Sequence, residues 1–275
     1  MRRPRPPVAL TVAGTDSGGG AGVAADLRTF AACGVWGTVA VTAVTAQNSR
    51  GVQEVQHLGP EVVRAQVESV VSDIGVDAAK TGMLGTAAVV HAVAGVLKDL
   101  AVAPLVVDPI IASSSGHRLL EPDGVAALRN ELLPLAAVVT PNLDEAALLA
   151  GGRADGGGEV RDRAGLEALA RAVLALGPGA VLLTGGHLAD HGVTDGSPDC
   201  LVVRGEGARW LEGERVPTAD THGTGCVLSA ALTARLALGD SLPDACSAAK
   251  GLVTRALKAA VALGGGPGAV DPRGG

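Results

Sequence analysis

Aromatic side chains are nearly absent from this chain of 275 residues, which has no tyrosine, one phenylalanine and two tryptophans. The core must therefore be built from alanine, valine and leucine. Proteins that read nucleic acids rely on aromatic stacking and basic faces, and this chain, with a net charge of −6, offers neither. We therefore expect no nucleic-acid partner.

Paired cysteines and long apolar runs are missing as well. The four cysteines are widely spaced, with no CxxC pair and no zinc-binding spacing. In a chain of this size they indicate free thiols in a reducing cytoplasm. No apolar run reaches the ~18 residues that a transmembrane helix needs. The arginine-rich start followed by Val8–Ala13 imitates a signal peptide, but its apolar part is too short, so a buried first strand is the better interpretation.

What the chain does have is a regular alternation of apolar strands and helices, with glycine-rich or polar turns between them. Strands are predicted at 8–13, 37–46, 77–84, 105–109, 136–140 and 180–184, with a hairpin at 201–204 and 208–213. Helices are predicted at about 23–33, 61–71, 87–100, 124–133, 165–176 and 243–263, and after residues 142 and 225.

This order predicts an α/β protein with three layers, in which helices cover both faces of a mostly parallel sheet. We expect a single domain over residues 1–275, with an ordered core at about 8–265 and loose ends. The glycine-rich loop at 151–163 is expected to be mobile. No GxxxxGK[ST] motif occurs, which argues against a P-loop enzyme.

The segment Thr-His-Gly-Thr-Gly-Cys at 221–226 precedes a predicted helix that begins at or near Gly225. Bare N–H groups of such a turn and the helix dipole favour an anion. The same field would lower the pKa of the Cys226 thiol and favour the thiolate. Taken alone, the segment is more simply a helix cap beside an inert buried cysteine, so its meaning depends on the rest of the chain.

Other polar residues lie where α/β sheets place ligand contacts, near the carboxyl ends of predicted strands. Asp108 ends the strand at 105–109, a common place for a neighbour of magnesium or phosphate. Gln47 ends the second strand, although turn chemistry is the simpler explanation. Asp26 lies one turn into the first helix, where an acid also suits the helix dipole. Asn142 and Glu145 share a helix face and by themselves favour a capping box.

Together these pieces form an ordered set of motifs. They are Ala-Gly-Thr-Asp at 13–16, Gly-Gly-Ala-Gly at 19–22, Ala-Ala-Asp-Leu at 24–27, Thr-Ala-Val-Thr-Ala-Gln-Asn at 42–48, Lys-Thr-Gly-Met-Leu at 80–84, Val-Asp-Pro at 107–109, Thr-Pro-Asn-Leu-Asp-Glu-Ala at 140–146, Gly-Gly-His at 185–187 and the segment at 221–226. The set resembles hydroxymethylpyrimidine/phosphomethylpyrimidine kinase, the thiamine-pathway member of the ribokinase-like superfamily. The resemblance covers about residues 8–265 and rests on the combination, since each motif alone is weak.

The resemblance implies a ribokinase-like fold and ATP-dependent phosphorylation, with Mg²⁺, of 4-amino-5-hydroxymethyl-2-methylpyrimidine and then of its monophosphate. A homodimer is also expected from the resemblance, in the cytoplasm that the unpaired cysteines indicate. The residues that would line the pyrimidine pocket are Gly14, Asp26, Gln47, Met83 and Ile110.

The resemblance also implies roles at the reaction centre. Gly223, Thr224 and Gly225 would form an anion hole, and Cys226 would accept the proton of the substrate hydroxyl. The residues that would hold ATP and its metal are Asn142, Glu145, Thr184, Gly185, Gly186 and Asp108, with Asp108 and Glu145 nearest the metal.

Two positions depart from the family pattern, because many relatives have lysine where this chain has Thr184 and Ser114. Two alternatives therefore stay open. The first is a pyridoxal or pyridoxine kinase of the same superfamily, against which Cys226 and Gln47 favour the pyrimidine. The second is a non-catalytic regulator that binds the pyrimidine, against which the intact segment at 221–226 argues.

Overall fold

The computed structural model describes residues 4–113, 116, 118–152, 162–186 and 196–274. Its strands are β1 (Val8–Ala13), β2 (Trp36–Val41), β3 (Ala43–Asn48), β4 (Gly51–His57), β5 (Ala78–Thr81), β6 (Leu105–Val107), β7 (Val138–Val139), β8 (Ala180–Leu183), β9 (Asp199–Val203) and β10 (Ala208–Leu211). Its α-helices are α1 (Gly22–Ala32), α2 (Pro60–Asp73), α3 (Ala87–Asp99), α4 (Pro122–Ala127), α5 (Leu143–Leu149), α6 (Arg163–Leu174), α7 (Thr224–Ala237) and α8 (Leu242–Lys258). A π-helical turn at Leu128–Leu132 and a 3-10 turn at Leu133–Leu135 continue α4.

Eight strands form one sheet in the order β10-β9-β8-β7-β6-β5-β1-β2. Each pair of neighbouring strands from β2 to β8 is parallel. At the other edge, β9 pairs antiparallel with β8, and β10 pairs antiparallel with β9. The mostly parallel sheet predicted from the alternation of elements is therefore confirmed, and so is the hairpin near its end.

Helices cover both faces of this sheet, because successive side chains of a strand point to opposite sides. Val107 packs into the cluster that includes α2, α3 and α6. Its neighbour Val106 packs with α7 and α8 on the other face, where Phe30 of α1 also contacts α7. Both faces of each central strand are thus buried, which explains the nearly continuous apolar runs.

The strand predicted at 37–46 was wrong in extent. The chain leaves the main sheet at Thr42, and β3 pairs instead with β4 as a separate antiparallel hairpin. The sequence after Gln47 predicts only a polar turn, because β4 is largely exposed and carries polar residues. A strand that buries so little lacks the apolar alternation by which strands are recognised.

The end of the chain also differs from expectation. The last helix stops at Lys258, and the segment that follows is packed rather than loose. Val270 is buried, and Ala269 pairs with both Val261 and His222. The glycines there allow close approach, since a side chain at Gly266 would collide with the carbonyl oxygen of Ser49.

Several expectations concern residues outside the described ranges. They include Ser114, His187 and most of the loop expected to be mobile at 151–163. Within the described part of the chain, no helix is long and apolar enough to cross a membrane.

Candidate active site

The predicted site residues gather at one edge of the sheet, because the parallel strands all end there. Backbone hydrogen bonds join the successive strand ends: Gly82 donates to Val12, Asp108 to Thr81, Thr140 to Val107 and Thr184 to Pro141. The glycine loop after β1, the ends of β5 to β8 and the start of α7 therefore form one continuous surface. This convergence is what a topological rule for parallel sheets predicts.

Lys80 forms the buried centre of this edge. Its ammonium lies 2.7 Å from Asp26 Oδ1 and 3.9 Å from Asp108 Oδ2, and the Lys80 and Asp26 side chains have no exposed surface. The Thr11 hydroxyl donates to the other Asp26 oxygen over 2.6 Å. Burial alone would lower the pKa of Lys80, but Asp26, Cys226 and Asp108 together raise it. The lysine therefore stays charged and neutralises the acids around it.

Asp108 connects this centre to α7. Ser229, one turn after the start of the helix, donates its hydroxyl to Asp108 Oδ2 over 2.8 Å. Burial raises the pKa of Asp108, although Lys80 and the Ser229 hydrogen bond oppose that effect. The sequence offered no sign that Ser229 is involved, since serine inside a helix is ordinary.

The turn before α7 has the geometry expected of an anion-binding loop. Gly223 has φ +85°, and a side chain there would collide with the carbonyl oxygen of Gly20. The two glycine loops are thus in backbone contact. Thr224 donates its hydroxyl to Thr221, whereas the position of a side chain at Gly225 is open space. The first turn of α7 therefore borders an accessible volume, and the Thr224 N–H donates to Thr221 O.

Cys226 lies in that first turn, but the expectation of a thiolate is wrong for this structure. The residue is 8% exposed, and burial raises the pKa of the thiol to about 12. The Lys80 charge and the Gly22 N–H lower the pKa, while Asp26 and Asp108 raise it further. The helix field that we inferred from the sequence is outweighed by desolvation and by two carboxyl groups, so the thiol holds its proton.

Asn142 and Glu145 form the capping box of α5. The Asn142 side chain accepts from the Glu145 N–H, and Glu145 Oε2 accepts from the Asn142 N–H, each over 2.9 Å. Glu145 is also buried beside Asp108. Burial and that neighbouring charge raise its pKa to about 8, against the N–H groups of Asn142 and Ile111. The structural role inferred from the spacing is confirmed, and the raised pKa adds a second property.

Asp108 and Glu145 suit a bound Mg²⁺, whose preferred ligands are hard oxygens. Both carboxyls are buried, and burial is the largest cause of the raised pKa of each, with Lys80 opposing part of the rise at Asp108. The Thr140 hydroxyl on the adjoining strand end is buried without a hydrogen-bond partner. Within the described ranges, no cluster of three or more acids, histidines or cysteines could hold a metal. A magnesium ion here would need oxygens from a substrate, as is usual for phosphate-bound Mg²⁺.

The loop after β8 is held by a second buried ion pair. Asp199 accepts from the Gly185 N–H over 2.9 Å and from Lys250 Nζ over 2.8 Å. Lys250 also donates to Ser197 O, which ties α8 to the same loop. Thr184 is half-buried beside Pro141, and Gly186 is exposed with open space around it. Contact of these residues with ATP stays a prediction.

The residues predicted for the pyrimidine pocket do not all meet. Met83 lies against Gly14, and Ile110 lies against Gly82, the residue before Met83. The predicted pocket residues Gly14, Met83 and Ile110 therefore lie close together at this edge of the sheet. Gln47 sits on the hairpin and exchanges backbone hydrogen bonds with the Ser17 hydroxyl. Asp26 is fully buried beneath the surface. Its contact with a ring stays a prediction that would require the Lys80 centre to open.

The sequence motif at 80–84 contains Lys80 but predicts no role for it. A lysine inside a buried strand was nevertheless a usable signal, because a buried charge needs a partner. Asp16 and His222, which join the two glycine loops, carried no comparable signal because each occurs in a polar turn.

Comparisons with known proteins bear on this site. The family model described as phosphomethylpyrimidine kinase matches residues 16–271. A hydroxymethylpyrimidine/phosphomethylpyrimidine kinase of Streptomyces coelicolor is 50% identical over 97% of this chain and 94% of its own. An ADP complex of Bacillus subtilis pyridoxal kinase superposes with a TM-score of 0.86 at 37% identity, covering 97% of each chain. A phosphomethylpyrimidine kinase from Clostridium difficile superposes with a TM-score of 0.77 at 35% identity, covering 91% of this chain and 99% of its own.

The sheet order, the glycine turn before α7 and these structural likenesses define the class of the protein as a ribokinase-like small-molecule kinase. Sequence identity separates members within that class. The chain belongs to the phosphomethylpyrimidine kinase family.

Proposed function

We propose that this protein transfers the γ-phosphoryl group of ATP to the hydroxymethyl arm of 4-amino-5-hydroxymethyl-2-methylpyrimidine, and then phosphorylates the resulting monophosphate. The observation that carries the proposal is the start of α7, where the Cys226 thiol is close enough to Lys80 for its charge to act on the thiol and the glycine turn is open at Gly225. Membership of the family and 50% identity to a kinase of that name support the substrate.

The anion turn would stabilise the charge that develops on the transferred group. Phosphoryl transfer needs positioning and charge stabilisation more than covalent help. The N–H groups of Gly223 and Gly225 lie at the rigid start of the helix, so they would need little reorganisation during the reaction. The Thr224 N–H donates to Thr221 O in this structure and would have to leave that contact to bind the phosphoryl group. Gly225 leaves room for the phosphoryl oxygens.

Cys226 would accept the proton of the attacking hydroxyl. In this structure its thiol is protonated, so only a small thiolate fraction is available, and the Lys80 ammonium is the group that stabilises it. Such a base works better as the pH rises. The rate of transfer should therefore increase with pH well above neutrality.

Asp108 and Glu145 would hold Mg²⁺, and Thr184, Gly185 and Gly186 would lie along the ATP phosphates. When bound, Mg²⁺ supplies charge neutralisation on the phosphate oxygens. The pair Asp199–Lys250 keeps the Gly185 N–H in place.

The substrate is tested by mass analysis of products from ATP and either the hydroxymethylpyrimidine or pyridoxal. We expect the pyrimidine to gain one phosphate and then a second, with pyridoxal turned over more slowly. A protein with Gly225→Val, whose side chain fills the open space at the turn, serves as the inactive control. Failure of the wild type to transfer phosphate to either compound would refute the kinase proposal and favour the regulator.

Pyridoxal kinase is the second candidate function, favoured by the TM-score of 0.86 to the Bacillus subtilis enzyme. Pyridoxal kinase becomes the favoured function if pyridoxal has a higher kcat/KM than the hydroxymethylpyrimidine in that experiment. Fold and reaction type would then stand, and only the ring would change.

Further proposals concern the state of the protein. A cytoplasmic location is supported by four unpaired cysteines, and a single domain by the sheet that spans the chain. A homodimer is expected from the family likeness. Light scattering at micromolar concentration tests it, and a monomer mass would contradict it.

A further inference from the structure

Asp16 and His222 join two glycine loops that are 206 residues apart in sequence. His222 Nε2 lies 2.8 Å from Asp16 Oδ2. The Asp16 side chain is 3% exposed and that of His222 is 19% exposed. This contact joins two side chains, one from the loop after β1 and one from the turn before α7. A second contact close by joins the Gly22 N–H to the Cys226 thiol.

Asp16 is itself fixed within the first loop. Its two oxygens accept the N–H groups of Gly18 and Ala21, each over 2.8 Å. Burial alone would raise the pKa of Asp16, but His222 and these N–H groups lower it overall. The carboxylate is therefore ionised and holds the loop in one shape, since charge-assisted hydrogen bonds are the stronger ones.

His222 is fixed from the opposite side. Its backbone N–H donates to Gly268 O and its carbonyl oxygen accepts from the Val270 N–H. Its ring lies against Gly20, where a side chain would collide with it. The packed C-terminal segment at 261–271 thus sets the position of His222, and the ring of His222 sets the position of the first loop.

We propose that His222 is a positioning residue for phosphoryl transfer, which holds the first glycine loop, through Asp16, at a fixed distance from the anion turn at 223–225. The proposal rests on the proposed function. Gly14 in the first loop lies beside Met83 at the predicted ring pocket, whereas Gly223 begins the anion turn. The contact therefore fixes the ring relative to the phosphoryl group, and small misplacements of reacting groups cost large factors in rate.

The test compares His222→Ala, His222→Gln and Asp16→Asn with the wild type. Glutamine keeps a side-chain N–H that can reach the carboxylate. His91→Ala is the matched control, because His91 Nδ1 also lies 2.8 Å from a carboxylate oxygen, that of Glu131, but on the exposed surface. Steady-state kinetics with ATP and the hydroxymethylpyrimidine are measured together with amide hydrogen exchange by mass spectrometry.

We expect His222→Ala to lower kcat at least tenfold, to change pyrimidine KM by less than threefold and to speed exchange in residues 14–22 and 221–226. His222→Gln should keep most of the wild-type kcat. Adding Asp16→Asn to His222→Ala should lower kcat little further, because both changes remove the same contact. His91→Ala should behave as wild type. Unchanged kcat in His222→Ala, or fully multiplicative effects of the two changes, would overturn the proposal. If the wild type lacks kinase activity, the proposed function fails, and the hydrogen-exchange data alone test whether His222 holds the loop. Exchange in residues 14–22 that is the same in His222→Ala and the wild type would then refute the positioning role of His222.

Discussion

Replacing Lys80 by methionine removes a positive charge that lies among the buried acids of the site. Lys80 Nζ lies 2.7 Å from Asp26 and 3.9 Å from Asp108, and lysine and Asp26 have no exposed side-chain surface. Breaking a buried pair from one side costs about 3–5 kcal/mol, because the remaining charge stays in a medium of low polarity. A typical domain has only about 5–15 kcal/mol of stability, so we expect Lys80→Met to lose roughly a fifth of it or more.

Urea denaturation at pH 7 measures this loss as a lower midpoint with an unchanged slope. The double variant Lys80→Met/Asp26→Asn removes both charges and should recover at least about 1 kcal/mol, since contacting residues do not act additively. Arg171→Met is the control, because its pair with Glu167 is exposed and such helix pairs contribute about 0.3–0.5 kcal/mol. A loss below about 1 kcal/mol in Lys80→Met would refute the role assigned to the lysine.

Three further predictions follow from individual residues. Gly223→Ala should lose stability by about 1–2 kcal/mol or more from its left-handed φ and the collision with Gly20. Gly225→Ala should keep its stability and lose kinase activity. Equal unfolding midpoints for Gly223→Ala and Gly225→Ala would contradict the special role of the Gly223 backbone. Because the folded pKa of Glu145 is raised to about 8, the folded state keeps a proton that the unfolded chain has lost, so stability falls between about pH 5 and 8. Glu145→Gln, measured in urea with a chelator, should remove that fall, on the order of 1.4 kcal/mol per pH unit. Iodoacetamide at pH 7.5 should leave Cys226 unmodified in the native protein, as followed by mass spectrometry. Rapid modification of Cys226 would show that the thiol is not buried and protonated.

Much of the architecture was predictable because it depends on local patterns. Apolar runs of strand length alternating with helices determine a parallel sheet, and that sheet places Asp108 and Thr184 at one edge. The spacing of Asn142 and Glu145 similarly predicts their capping box. These features need only the residues within one element and a rule of topology.

What escaped prediction depends on contacts between distant segments. Lys80 and Asp26 are 54 residues apart, and no local pattern pairs them. The pKa of Cys226 was misjudged because a helix dipole can be inferred from sequence, whereas burial next to Asp108 cannot. The C-terminal glycines indicated flexibility, yet Gly266 is needed for close approach to Ser49. In each case tertiary packing decided between two local interpretations.

The account depends most on Cys226 as the proton acceptor at the start of α7. The direct measurement is kcat for the hydroxymethylpyrimidine as a function of pH, in the wild type and in Cys226→Ala, with pyrimidine binding measured in parallel by calorimetry. We predict a wild-type rate that rises tenfold per pH unit to at least pH 9, and a variant whose rate is lower by a factor of about 10²–10⁴ although it binds the pyrimidine within threefold. A variant within twofold of the wild type, or a wild-type rate that does not change from pH 7 to 9, would contradict this account.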